Sequence, residues 1–212
     1  MDETIDKRHQ CLIYGGSPAA YLPDLASVIR DKLTQNHRCL YLNSPPMVTG
    51  LRSYLFARGV DVLKEITKGS LVLSSDNGHL VNGNFDMDRM LAMLTDAVSQ
   101  AMKDGFQGLW ATGDMSWEFG PKKDFSKLLE YEWRLEEMFR KHPTLSGICQ
   151  YHTDTLPLET VRQGLVTHRA IFINETLTRI NSHYRQRECF DAKDTAHIDH
   201  MISRLCQGHE QN

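Results

Sequence analysis

The sequence predicts an α/β fold, a three-layer sandwich built around a mainly parallel central sheet. Short apolar runs alternate along the chain with longer segments of helical period, which is typical of βαβ units. The 212 residues are 41% hydrophobic and 24% charged, an ordinary globular composition with enough length for one sizeable core. We therefore expect one domain over residues 1–174, followed by a polar, helical C-terminal tail over 175–212.

Six short apolar runs are the expected strands of this sheet. The turn after the first run is Gly15-Gly16-Ser17-Pro18, and Ser17 is the predicted N-cap of a helix from Pro18 to about Gln35. The six predicted strands are residues 11–14, 39–42, 71–73, 108–112, 146–151 and 170–173.

Two longer segments carry apolar residues three and four positions apart and are expected to be amphipathic helices. They span residues 86–104 and 125–139, and the second ends near His142-Pro143. After Asn174 the pattern weakens, so we expect a polar helix to about Arg187 and a short helix over 198–205. Because this tail has little apolar content, we expect it to pack on a surface, bind a partner or fray.

Charge and cysteine usage exclude several classes of protein. The chain carries 24 basic and 27 acidic residues, a net charge of −3, so no direct nucleic-acid binding is expected. The N-terminus is polar and no apolar run is long enough to span a membrane, which predicts a cytoplasmic protein without membrane contact. Five cysteines without a CxxC pair favour reduced thiols over disulfides.

The turn after the first strand lacks the features of a phosphate-binding loop. A Walker A loop needs a second glycine and a lysine at fixed spacing, and this turn has neither. Pro18 also removes one amide donor. Tight triphosphate binding is therefore not expected. The turn is either a glycine-rich corner with a serine cap, or a small-ligand site that uses the same exposed amides.

The chain places unusual residues where strands end, which is where open parallel sheets bind ligands. Asp114 follows the fourth strand in a Walker-B-like position, and without a phosphate loop it would accept a hydrogen bond from a ligand or cap the next turn. Trp117 either walls a ligand pocket or packs on the following helix. The expected ligand-binding residues are Tyr14, Gly15, Gly16, Ser17, Asp114, Met115, Ser116, Trp117, Glu118, Tyr151 and His152.

A metal site is the weaker interpretation of the cysteines and histidines. His9 and Cys11 face one side of the first strand, and Cys149 and His152 lie near the end of the fifth. No close ligand pair exists, and His9 is at the entry end of its strand whereas His152 is at the exit end of the other. We therefore expect no metal, no cofactor and, without a complete catalytic constellation, no enzyme.

Several motifs in order resemble the MEDS domain, the methanogen/methylotroph DcmR sensory domain, over about residues 8–174. They are His9-x-Cys11-Leu12-Ile13-Tyr14, Phe85-Asp86-x-Asp88-Arg89-Met90-Leu91, Gly113-Asp114-Met115-Ser116-Trp117, Leu129-Glu130-Tyr131-Glu132, Cys149-Gln150-Tyr151 and His168-Arg169. The resemblance implies a P-loop-NTPase (RecA/KaiC)-like layout without a working Walker A loop. It also implies a sensor of small molecules, proposed for the family to be hydrocarbon derivatives or C1-type compounds.

The resemblance further implies a protein partner, a transcription regulator or a histidine kinase that receives the signal. The expected partners are thus a small-molecule ligand, a signalling or transcription-regulator protein, and a second copy of the chain in a homo-oligomer. Two alternatives remain. The chain could be a degenerate nucleotide-binding regulator that does not hydrolyse, or a protein-interaction adaptor that acts through its polar tail.

Overall fold

The computed structural model describes residues 6–191 and 198–207. Seven strands form one sheet in the order β3-β2-β6-β7-β1-β8-β9, and all neighbours pair in parallel except β8 and β9. The strands are β1 His9–Tyr14, β2 Arg38–Leu42, β3 Leu71–Ser74, β6 Leu109–Asp114, β7 Leu145–His152, β8 Ala170–Asn174 and β9 Leu177–Ile180, and a separate hairpin pairs β4 Leu80–Val81 with β5 Asn84–Phe85.

Helices cover both faces of this sheet and complete the three layers. The helices are α1 Leu22–Thr34, α2 Pro45–Ala57, α3 Val62–Lys68, α4 Met87–Lys103, α5 Met115–Glu118, α6 Leu128–Lys141, α7 Leu158–Thr167 and α8 Asp199–Gln207, with a 3₁₀ turn at Arg187–Cys189. The expected α/β sandwich with a mainly parallel sheet is confirmed.

Side-chain alternation along β1 divides the core into two clusters. Cys11 and Ile13 pack with α4, α6, α7 and α8 in the larger cluster, whereas Leu12 and Tyr14 pack with α1 and α2 in the smaller one. Successive residues of a strand point to opposite faces of the sheet, so a fully buried strand feeds both cores. The six expected strands correspond to the six strands that pair in parallel, with ends displaced by one or two residues.

The expected start of the first helix is wrong. Residues 18–21 form a turn, and α1 begins at Leu22 with Pro23 in its first turn and no side-chain cap. The Ser17 hydroxyl instead accepts a hydrogen bond from the Ala19 N–H at 3.3 Å. The Ser17 hydroxyl therefore stabilises the turn at residues 18–21, which precedes α1, and does not cap the helix.

The expected polar helix after Asn174 is also wrong. The Asn174 carboxamide oxygen accepts hydrogen bonds from the N–H groups of Thr176 and Leu177, at 3.0 and 2.9 Å. This side-chain turn reverses the chain, and β9 then pairs antiparallel with β8.

Within the described part of the tail, residues 198–207 join the core instead of covering a surface. The short helix expected at 198–205 is present as α8, and Ile198, Ile202 and Leu205 are buried in the larger core cluster. Arg162 of α7 pairs with Asp199 at 2.6 Å and holds the start of the helix. Residues 192–197 and 208–212 of the expected tail lie outside the described residues.

Candidate functional site

A cavity of about 160 Å³ lies where the carboxyl ends of four parallel strands meet. The strand register sets Tyr14 beside His152 and Leu42 beside Gly113, so the segments after β1, β2, β6 and β7 converge at one edge of the sheet. The cavity is lined by Tyr14, Pro18, Asn43, Ser44, Met47, Asp114, Ser116, Trp117, His152 and Thr155.

Asp114 is the one carboxylate of the cavity lining. It ends β6 and caps α5, because its Oδ1 accepts hydrogen bonds from the Ser116 hydroxyl and, at 2.9 Å, from the Trp117 N–H. Burial raises the pKa of Asp114, while these hydrogen bonds and the charge of His152 act in the opposite direction. The capping role considered for this residue is therefore present.

Trp117 provides one wall of the cavity. Its indole is half-buried and contacts the His79 ring, with centroids 5.1 Å apart. Tyr14 provides a second aromatic wall, is only 1% exposed and lies 4.9 Å from the His152 ring. Two aromatic rings and a few polar groups are the usual composition of a small-molecule site.

The turn after β1 is closed by an acid and a histidine. Gly16 has a φ of +77°, and its N–H donates to the Asp154 carboxylate at 2.8 Å. His152 Nε2–H donates to the Gly16 carbonyl at 2.9 Å, and its Nδ1 is 3.1 Å from the Thr155 hydroxyl. The Gly16 amide that an anion would need is thus occupied by a carboxylate.

The structure brings five of the eleven expected ligand-binding residues to the cavity lining: Tyr14, Asp114, Ser116, Trp117 and His152. The Gly15-Gly16-Ser17 turn lies beside the cavity without lining it. The remaining three, Met115, Glu118 and Tyr151, are buried in or beside the larger core on the other face of the sheet.

Tyr151 lies outside the cavity because of strand alternation: its neighbour His152 points into the cavity, so Tyr151 points to the opposite face. The Tyr151 hydroxyl donates to Glu132 of α6. Glu118 lies 3.2 Å from the Tyr131 hydroxyl, and its carboxylate fills the space that a side chain at Gly113 would need. Burial, and then the charge of Glu132, raise the pKa of Glu118 well above its ordinary value.

Five lining residues were not among the ligand-binding residues expected from the sequence: Pro18, Asn43, Ser44, Met47 and Thr155. Asn43 follows the expected second strand directly, so the same strand-end reasoning that selected Asp114 could have found it. Met47 lies on α2, a helix that was not among those expected.

A second group of polar side chains is buried in the larger core, near the opposite end of β1. His9, Glu132, Cys149 and His168 are 2%, 0%, 7% and 0% exposed, and one ligand-type atom from each lies within 4.8 Å of the others. His9 and His152 are at opposite ends of the sheet, as expected. Cys149, however, lies on the His9 side, with its Sγ 3.5 Å from His9 Nε2.

Glu132 and His168 complete this group and were not foreseen as partners of His9. Glu132 comes from the middle of α6, and His168 caps the C-terminus of α7. Burial lowers the pKa of His168 well below its ordinary value. No spacing rule links positions 9, 132, 149 and 168, so only the packing of α6 and α7 on the sheet unites them.

The fold and the strand-end cavity define a three-layer α/β domain with room for a small ligand. A family model, MEDS, the MEthanogen/methylotroph, DcmR Sensory domain, matches residues 8–169. The chain belongs to this family of sensory domains, so its role is sensory or regulatory. No curated protein matches the chain at a significant level. Among the described residues, the helices are too short or too polar to cross a bilayer.

Proposed function

We propose that this chain senses a small, weakly charged molecule that binds in the strand-end cavity. The observation that carries the proposal is the cavity itself, about 160 Å³ between the rings of Tyr14 and Trp117. An apolar protein cavity of about 150 Å³ accommodates benzene, so a ligand of roughly six non-hydrogen atoms is the right size. Membership of a sensory family supports the same reading.

The polar groups of the lining favour a neutral ligand over a charged one. Asp114 is already engaged by two donors, and both ring nitrogens of His152 have protein partners. The lining includes no lysine and no arginine. A hydrocarbon derivative with one polar or polarisable group, such as a haloalkane or a short alcohol, suits two aromatic walls and few free donors.

The same observations disfavour the nucleotide-binding alternative. Asp154 occupies the Gly16 N–H at the place where a phosphate loop would present its amides. The cavity is also smaller than the roughly 300–1,000 Å³ of typical cofactor and drug-sized sites. A triphosphate would bring several negative charges next to Asp114 and Asp154, and the lining has no lysine or arginine to compensate them.

We further propose that the domain is not an enzyme and passes its signal to a protein partner. The partner would be a transcription regulator or a histidine kinase, and a homo-oligomer is compatible with either. The adaptor alternative, in which a free polar tail captures the partner, has less support. Ile198, Ile202 and Leu205 are buried in the core, so deletion of residues 175–212 would disrupt the fold instead of sparing it.

A thermal-shift screen with matched indole variants tests the ligand site. Purified protein is heated with short alcohols, haloalkanes, other C1 compounds and nucleotides, for the wild type, Trp117→Ala and Trp133→Ala. Trp133 is a matched control, because it is also half-buried but packs on Phe190.

The proposal expects at least one small compound to raise the Tm of the wild type and of Trp133→Ala, and to have no effect on Trp117→Ala. It is wrong if no small compound stabilises the wild type, or if Trp117→Ala responds as the wild type does. Calorimetry with ATP and Mg²⁺ distinguishes small-molecule sensing from the nucleotide-binding alternative. Heat of binding at millimolar nucleotide would favour nucleotide binding.

A further inference from the structure

We propose that His9, Glu132, Cys149 and His168 form a structural binding site for one zinc-class divalent cation. The site lies in the larger core, whereas Tyr14 of the strand-end cavity lies in the smaller core on the other face of the sheet. The inference therefore does not depend on the proposed ligand site. Two histidines, a cysteine and a carboxylate are the residue types that zinc prefers.

The spacing of the four ligand atoms fits a tetrahedral ion. Zinc bonds of about 2.0–2.3 Å place tetrahedral ligands about 3.3–3.8 Å from one another. The Oε2 atom of Glu132 lies 3.6 Å from His9 Nε2 and 3.5 Å from His168 Nε2. Cys149 Sγ lies 3.5 Å from His9 Nε2. Three of the six ligand pairs thus already have the separation that coordination requires.

Two of these atoms are buried without a hydrogen-bond partner: Glu132 Oε2 and His168 Nε2. Both side chains are 0% exposed, and each group points at the other members of the cluster. Buried polar atoms in folded proteins nearly always have a hydrogen-bond or metal partner. Two such atoms without a partner, side by side in one cluster, indicate that a bound group lies between them in the protein. A cation between them would satisfy both.

The hydrogen bonds around the cluster orient both histidines for coordination. His168 Nδ1–H donates to the Gly164 carbonyl at 2.6 Å, which leaves the Nε2 lone pair directed into the cluster. His9 Nδ1 is 2.9 Å from Glu136 Oε2, and Arg169 holds Glu136 at 2.9 Å. Ligating histidines usually donate their second ring N–H to a carbonyl or a carboxylate in this way.

The charges also balance. A thiolate and a carboxylate would supply two negative charges in a core that excludes water, and a divalent cation neutralises both. Glu132 is further held by the Tyr151 hydroxyl on its other oxygen. With four protein ligands and no open position, the site is of the structural type, and it joins β1, β7, α6 and the end of α7.

The experiment measures metal binding on the full chain, purified without an affinity tag and under reducing conditions. Chelator-treated protein is titrated with Zn²⁺ while its Tm is followed, and with Co²⁺ while the thiolate-to-metal charge-transfer band is recorded. Every protein carries Cys189→Ser, which removes an exposed thiol able to bind metal adventitiously.

The matched pair of variants is Cys149→Ser and Cys39→Ser. Cys39 is also buried, but it lies in the smaller core. We expect one equivalent of Zn²⁺ to raise the Tm of the parent and of Cys39→Ser, with no further rise at two equivalents. The Co²⁺ charge-transfer band should be present in both and absent from Cys149→Ser.

The proposal fails if the parent protein neither gains stability with Zn²⁺ nor shows the Co²⁺ band, a readout that needs no variant to fold. It also fails if Cys149→Ser keeps the band or if Cys39→Ser loses it. His168→Gln gives a second check, because it keeps the thiolate but should weaken Co²⁺ affinity at least tenfold; unchanged affinity would contradict the site.

Discussion

Replacement of Ile202 by alanine tests whether helix α8 is part of the folding core. Ile202 is 4% exposed and lies in the larger core cluster with Ile198 and Leu205. Burial of an isoleucine side chain contributes about 1.5–3 kcal/mol, and the cavity left by truncation adds to the loss. We expect Ile202→Ala to lower the free energy of unfolding by about 3 kcal/mol.

That loss corresponds to a fall in Tm of about 6–12 °C for a chain of this length. The measurement is urea and thermal unfolding followed by circular dichroism. Arg204→Ala is the control, because Arg204 is exposed on the same helix and its removal leaves the buried face intact. Ile202→Val should fall between the two, at about 1 kcal/mol.

A difference of less than about 0.5 kcal/mol between Ile202→Ala and Arg204→Ala, the usual range for surface substitutions, would contradict this prediction. That result would mean that α8 is not packed on the core in solution. A fall in the urea midpoint without a change in the slope would instead show that α8 unfolds together with the rest of the domain.

Two further substitutions test other buried contacts. The raised pKa of Glu118 means that the folded chain keeps a proton that the unfolded chain has released. The contribution of Glu118 to stability is therefore fully present below its ordinary pKa of 4.5, and it is lost as the pH rises toward the pKa of Glu118 in the folded chain. Glu118→Gln should therefore stabilise the protein more at pH 7.5 than at pH 5 in urea unfolding, and equal effects at both would contradict the protonated state. Gly147→Ala should destabilise by about 1–3 kcal/mol or more, because its Cβ would lie 2.2 Å from the Ala111 carbonyl oxygen on the neighbouring strand. A stability within about 0.5 kcal/mol of the wild type would show that the two strands separate easily.

Strong local patterns in the sequence predicted most of the fold. The parallel strands were visible because buried strands form short apolar runs, and α4 and α6 because long amphipathic helices repeat their apolar residues. Asp86 caps α4 through a hydrogen bond from the Arg89 N–H at 3.0 Å, so a local signal also marked that helix start.

Elements with a weak local sequence pattern, or with contacts to residues distant in the chain, were not predicted correctly. The segment from Asn174 to about Arg187 has the pattern of a polar helix, but an asparagine turn and pairing with β8 make Leu177–Ile180 a strand. The partner strand contributes the hydrogen bonds, and no local pattern reports them. In the same way, α8 looked too polar for the core because its nine residues have only a narrow apolar face.

The candidate site was only partly foreseen for a related reason. Strand ends are recognisable in sequence, so Tyr14, Asp114, Trp117 and His152 could be selected as neighbours. On a strand, a side chain points into the cavity only if its position faces that side of the sheet. On α5, it does so only if it lies on the helix face that is turned toward the cavity. Tyr151 is one position before the lining residue His152, and Glu118 lies on the other face of α5 from Trp117. Both side chains therefore pack in or beside the larger core.

The class of fold, the absence of a Walker A loop at the first turn and the resemblance to a sensory family could all be recognised without a structure, because each is carried by short runs of neighbouring residues. Tertiary structure alone decided that α8 belongs to the core and that the cavity has aromatic walls. It also decided that His9 and Cys149 meet Glu132 and His168, since strand pairing and helix packing bring together residues more than a hundred positions apart.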